Sequence, residues 1–324
     1  MQAAKQHFSL RELDVNETVI LESGDTLQDL KIQYSTYGEL NKDRSNVIWV
    51  FHALTGSSEV MDWWQDLFGN NKVFDSEDSF IVCANVLGSC YGSTQPENFD
   101  FPLITIRDMV KAHQILQKHL GIEKIKLGIG GSMGGQQLLQ WAVEEPELFE
   151  TIVPIATNAK HSAWGIALNE TQRMALDNDD RKKGLEAARA VALLSYRNYE
   201  TFEETQIDLD DRVDHFSASS YQQYQGRKFR DRFSPISYYY LSKAMDSHNV
   251  GRHFGGLKNA LSRIHSRAIV IGIQSDILFP IAEQRLLANS IKNAELHTIH
   301  SIYGHDGFLI ETEQVSNILT KELP

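Results

Sequence analysis

The sequence predicts an α/β fold: a mostly parallel central sheet with helices on both faces and a helical lid inserted late in the chain. Three observations predict it. Short apolar runs rich in β-branched and aromatic residues alternate with segments of helical period, the pattern of a parallel sheet covered on both faces. One run ends in Gly130-Gly131-Ser132-Met133-Gly134, a G-x-S-x-G pattern that sets a serine on a sharp turn from strand to helix. The stretch 159–264 then breaks the alternation with charged, aromatic, helix-patterned sequence before an apolar run returns.

Taken in order, Thr18 to Glu22 and Leu30 to Thr36 read as strands, with Gly24-Asp25 as a turn between them. "NVIWVFHAL", "SFIVCANVLG", "KIKLGIGG" and "TIVPIATN" follow as buried parallel strands, and "RAIVIGIQSD" and the alternating "AELHTIHS" resume the sheet near the C-terminus. Ile106 to Leu120 and Met133 to Val143 carry helical spacing, and stop before Gly121 and Pro146 respectively. The expected organisation is a core domain of residues 1–158 and 265–324 with a helical lid insertion of residues 159–264.

At 324 residues with 42% hydrophobic content, the chain can bury a large core without disulfide staples. A net charge of −12 argues against nucleic-acid and membrane-surface partners, and means that an anionic substrate needs a local basic pocket. Cys83 lies in an apolar run and Cys90 in a Gly/Ser-rich turn; no His/Cys group has zinc spacing, so no metal is expected. Two reduced thiols, no apolar run near membrane-spanning length and no leader-like apolar core in "MQAAKQHFSLRELDVNE" together predict a cytoplasmic protein.

A serine hydroxyl needs a base within hydrogen-bond reach and a third group to orient that base. On the α/β-hydrolase fold these follow the nucleophile in the order acid, then histidine. Asp276 in "GIQSDILFP" and His305 in "SIYGHDGFL" supply both, each just after a predicted strand, where catalytic groups of parallel sheets gather. Taken singly, Asp276 also reads as a cap for the helix near Pro280, and His305 as a surface histidine among twelve. The joint order of elbow, acid and base selects the catalytic reading. The oxyanion hole is assigned to the backbone N–H groups of Met133, next to the nucleophile, and Leu54 in "FHALTGSSE", where Gly56 permits close backbone approach. His52 reads as a structural residue of that loop.

The segments "HALTG", "ANVLGSCYGSTQP", "TIRDMVKAH", "GGSMGGQQLLQWA", "LLSYRNYETF", "YYYLSKAMDSHNVGR", "GIQSDILFP" and "YGHDGFLIE" resemble the homoserine O-acetyltransferase family from roughly Gly38 to Glu311. The resemblance extends into the insertion, where other α/β-hydrolases share nothing. It implies ping-pong transfer of an acetyl group from acetyl-CoA to the hydroxyl of L-homoserine, in methionine biosynthesis, through an acyl-serine. Ser132, Asp276 and His305 would be the triad. Arg189 would pair with the substrate α-carboxylate and Asp306 with its α-ammonium, with Tyr196 and Arg197 lining the pocket. Ser89 stands where a second glycine is familiar in "GSCYG", and the segment after "CYGSTQPENFDFP" is shorter than in many relatives. No retained cofactor is implied, acetyl-CoA being a substrate, and a homodimer through the helical lid is expected. The alternatives weighed are a homoserine O-succinyltransferase or serine O-acetyltransferase of the same fold, a plain esterase, and a non-catalytic binding protein.

Overall fold

The computed structural model describes residues 8–69, 72–177 and 179–323. The first seven residues of the N-terminal stretch read above for a leader lie outside them. The strands are β1 (Ser9–Val15), β2 (Val19–Ile20), β3 (Thr26–Leu27), β4 (Leu30–Tyr37), β5 (Val47–Phe51), β6 (Phe80–Ala84), β7 (Ile125–Gly131), β8 (Phe149–Ile155), β9 (Arg267–Ile273) and β10 (Ala294–Ile299). Eight of them form one sheet in the order β1-β4-β6-β5-β7-β8-β9-β10. Pairing is parallel from β6 through β10, while β1 and β4 add an antiparallel edge.

One N-terminal expectation is refined. Of the run Thr18 to Glu22 only Val19–Ile20 is strand, and the expected turn at Gly24-Asp25 leads it into β3, with which it pairs, before β4 begins at Leu30; the φ of 92° at Gly24 suits a residue without Cβ. The partner of β4 on that side is β1, whose "SLRELDV" is exposed or half-buried throughout at the sheet edge.

The central strands form because their side chains are apolar on both sides. In β5, Val47, Trp49 and Phe51 enter one core while Ile48 and Val50 enter the other. Helices α1 (Met61–Trp64), α2 (Ile106–His119) and α3 (Met133–Glu144) lie between early strands. Thr105 caps α2 in a reciprocal capping box with Asp108. The buried Trp141 of α3 meets Trp49 edge-on, with ring centroids 5.2 Å apart.

Between β8 and β9 come α4 (Ala163–Leu176), α5 (Arg181–Tyr196), α6 (Tyr199–Thr205), α7 (Ser217–Arg230), α8 (Pro235–Asp246) and α9 (Leu257–Leu261). The first core continues into them through Leu185, Phe229, Tyr238 and Leu241, so these helices are packed on the sheet unit rather than tethered to it. Buried Arg173 fastens α4 to α8 through Asp246 Oδ2, at 2.6 Å. After β9 the chain forms α10 (Ile281–Ser290), the one-turn α11 (Gly307–Ile310) and α12 (Thr312–Glu322).

Candidate active site

Ser132 sits between β7 and α3 with φ 57° and ψ −125°, a backbone conformation costing on the order of 1–3 kcal/mol. The surroundings hold it there. Its N–H donates to Ile155 O at 3.0 Å, and Thr157 Oγ1 donates to its carbonyl at 2.7 Å. The flanking glycines are required by contact: a Cβ on Gly130 would lie 2.6 Å from the Gly134 backbone, and one on Gly134 would lie 2.1 Å from Phe51 O. The elbow can form only where β5, β7 and α3 approach at backbone distance.

His305 Nε2 stands 2.9 Å from Ser132 Oγ, and His305 Nδ1 stands 2.7 Å from Asp276 Oδ2. All three residues are buried. An ionised carboxylate only accepts, so Nδ1 carries the imidazole proton and Nε2 is free to receive the serine proton. The other oxygen of Asp276, Oδ1, accepts from Leu278 N and Phe279 N, both at 2.8 Å. These bonds close the turn ahead of α10 and do not cap the helix, whose N-cap is Pro280 without a side-chain bond, so the capping reading of Asp276 is corrected to a turn-forming one. The rings of Phe279 and Phe308 flank the imidazole, with centroids 5.1 and 5.3 Å away.

The segment expected to hold the oxyanion is built from a turn. Gly56 N donates to Ala53 O at 2.9 Å, and His52 Nδ1 donates to the same carbonyl at 2.8 Å. Val86 N donates to His52 Nε2 at 3.0 Å, which fixes the tautomer. Burial lowers the His52 pKa to about 4, so it stays neutral and structural, as its sequence context suggested. A trans peptide points its N–H opposite its C=O, so holding Ala53 O aims the Leu54 N–H the other way. Met133 opens α3, where the first N–H groups have no acceptor within the helix.

A cavity of about 180 Å³ opens on Ser132 and His305, and Leu54, Arg189, Tyr196 and Asp306 line it. It adjoins an outer groove of about 620 Å³, with Thr55, Gly56, Trp63 and Arg232 in both walls. Arg189, half-buried on α5, holds its guanidinium 5.4 Å from the Tyr196 ring and 5.2 Å from the Phe229 ring. Among the described residues no carboxylate is ion-paired with it, so it is not the exposed helix-face charge its context suggests in isolation.

Asp306 also has a partner within the protein. It is ion-paired with Arg197 Nε at 3.3 Å, so Arg197 braces the carboxylate and is not among the residues lining the cavity. Burial raises the Asp306 pKa, opposed by the nearby charges of Arg189 and Arg197. Burial likewise raises the Tyr196 phenol, with Arg189 pulling the other way.

A sequence profile described as alpha/beta hydrolase fold matches residues 46–312. The homoserine O-acetyltransferase of Cyclobacterium marinum is 47% identical over 94% of this chain and 92% of its own length.

The chain belongs to the homoserine O-acetyltransferase family.

The crystal structure of homoserine O-acetyltransferase from Staphylococcus aureus superposes with a TM-score of 0.86 at 27% identity, covering 98% of this chain and 96% of that one. Esterase E22 superposes as well, with a TM-score of 0.87, at 20% identity and with 96% and 100% coverage, so the shape of the fold does not separate transferase from esterase. Cys83 is buried and Cys90 half-buried, both as free thiols; burial raises the pKa of each. Glu295, His297 and Glu322 bring ligand-type atoms within 4.8 Å of one another, but Glu322 is already ion-paired with Arg267. Among the described residues, no helix is long and apolar enough to cross a membrane.

Proposed function

We propose that this family member moves an acetyl group from acetyl-CoA to L-homoserine through an acetyl-Ser132 intermediate. His305 takes the Ser132 proton as Oγ attacks the thioester carbonyl, and Asp276 steadies the imidazolium that forms. The Leu54 and Met133 N–H groups stabilise the oxyanion. The intermediate collapses, the C–S bond breaks, and His305 returns the proton to the departing CoA thiolate. Homoserine then occupies the inner cavity, Arg189 on its carboxylate and Asp306 on its ammonium. His305 removes the hydroxyl proton, the oxygen attacks the acyl carbon, and the proton passes back to Ser132 as O-acetylhomoserine leaves.

The observation that carries this reading is the placement of Arg189 and Asp306 in the wall of the cavity that holds Ser132 and His305. Opposite charges in one small cavity match a zwitterion at both ends, and so select an amino acid despite the protein's negative charge. An esterase has no use for that pair. The outer groove suits the pantetheine arm of the donor. Segment 159–264 acts as a lid that keeps water from the acyl-enzyme. The reaction uses no metal or retained cofactor. The proposal includes a homodimer formed through the insertion, and a cytoplasmic location, with which the two free thiols are consistent.

The test is a matrix of acetyl-CoA and succinyl-CoA against homoserine and serine, with Ser132→Ala as the blank. Product is expected from acetyl-CoA with homoserine. A preference for succinyl-CoA or serine would overturn the substrate assignment, and turnover without any acceptor would make the protein an esterase.

A further inference from the structure

Arg232 follows α7 in the inserted helices, within "GRKFRDRF", a run that reads as a solvated charge cluster. The residue is exposed, yet its guanidinium bonds to protein groups distant in the chain. Its Nη1 donates to Thr55 O at 3.0 Å and to Tyr91 Oη at 2.6 Å, and its Nη2 lies 3.4 Å from Thr55 Oγ1. Its guanidinium stands 5.0 Å from the centre of the Phe229 ring, the ring that also lies under Arg189. Among the described residues no carboxylate is ion-paired with it. A side chain of the insertion thus reaches across to the oxyanion turn and spends its donors on a carbonyl and a phenol.

The consequence follows from the planarity of two peptide units. The carbonyl of Thr55 and the N–H of Gly56 belong to one plane and point in opposite directions. Arg232 holds the carbonyl end; the N–H end donates to Ala53 O. The carbonyl of Ala53 and the N–H of Leu54 belong to the next plane. The sequence of bonds is therefore Arg232 to Thr55 O, Gly56 N–H to Ala53 O, and Leu54 N–H to the oxyanion. A cation at the far end polarises each peptide so that the terminal N–H becomes a stronger donor, and serial hydrogen bonds reinforce one another in this way. His52 fixes the same turn from the sheet side; Arg232 is its counterpart on the insertion side.

We propose that Arg232 is a positioning residue for acyl transfer: carried on the inserted helices, it holds and polarises the 53–56 turn whose Leu54 N–H receives the oxyanion. It couples seating of the insertion to competence of the oxyanion hole. This rests on the reading that Ser132 is acylated, and it goes beyond that reading by assigning a role to a residue that is bonded to no member of the triad and acts through the 53–56 turn.

The test is single-turnover acylation of Ser132 in the full-length wild type, Arg232→Met and Arg232→Lys, with two donors. One is acetyl-CoA, followed by thiol release; the other is p-nitrophenyl acetate, which lacks any CoA moiety. Removing an oxyanion donor outright slows such reactions about 10²–10³-fold. Loosening one is expected to slow acylation by both donors about 10–100-fold in Arg232→Met, with partial recovery in Arg232→Lys and unchanged melting temperatures. A loss confined to acetyl-CoA would make Arg232 a donor-binding cation, and an unchanged rate would make it idle; either result overturns the proposal. Failure of the wild type to acylate Ser132 with either donor would instead remove the underlying reading, and the proposal with it.

Discussion

Asp276 divides its two oxygens between a turn and an imidazole, and that division makes one substitution unusually informative. In Asp276→Asn the amide oxygen can stay on Leu278 N and Phe279 N, so the fold is retained. The amide nitrogen then faces His305 Nδ1 and selects the tautomer with its proton on Nε2, which cannot take the serine proton. A fall in kcat of about 10⁴-fold with little change in melting temperature is expected from steady-state kinetics and calorimetry. Arg189→Ala removes a charge that no carboxylate of the described residues pairs with, so it should cost little stability. It should raise the KM for homoserine about 10–100-fold, as loss of a charge-assisted pair does, while acylation by acetyl-CoA alone continues. Normal KM for homoserine in that variant would remove the clamp.

Ser132 was legible at this scale because glycine spacing around a nucleophile has a steric cause. His305 became legible only jointly with Asp276, since a lone loop histidine carries no signal. The contacts of Arg197 and Arg232 were not legible. Each is one arginine in charged helical sequence, and what sets it apart is a partner distant in the chain: Asp306 for Arg197, Thr55 for Arg232.

At the scale of elements, the elbow depends on close approach of β5, β7 and α3. Gly134→Ala places a Cβ 2.1 Å from Phe51 O, a backbone atom in the middle of the sheet that cannot turn aside. A loss of about 3 kcal/mol or more in chemical denaturation is expected, at the upper end of overpacking costs. A loss below about 1 kcal/mol would mean that α3 can shift away from β5 freely. The parallel strands could be read from the sequence because burial on both sides demands continuous apolar runs. The edge strand β1 could not, because its side chains are half-exposed and alternate too weakly. The order of the helices within 159–264 was likewise hidden, since helical period reports a buried face but not its partner.

For the whole molecule, acid sensitivity follows from four buried histidines. Burial lowers His52, His113 and His161 to about 4 and His248 to about 3, against an ordinary value near 6.5. Below pH 6.5 the unfolded chain binds protons that the folded chain refuses, so stability falls as pH drops from 6.5 toward 4. Each histidine costs on the order of 2 kcal/mol by pH 5. Asp108, Glu144, Asp246 and Asp306, raised by burial, act in the opposite sense as they protonate. Urea unfolding across pH 7 to 5 should show a marked loss of stability. A flat profile would mean that these imidazoles can be protonated in the folded state.

Distant segments of the chain converge on one acyl-transfer centre, and the covalent intermediate is the most direct probe of it. Mixing the protein with acetyl-CoA in the absence of homoserine, quenching in acid and mapping the peptides by mass spectrometry reads it out. The account predicts one acetyl group on Ser132, discharged to O-acetylhomoserine when homoserine is added and absent from Ser132→Ala. An unmodified Ser132, alongside O-acetylhomoserine formed at full rate when both substrates are present, would contradict it.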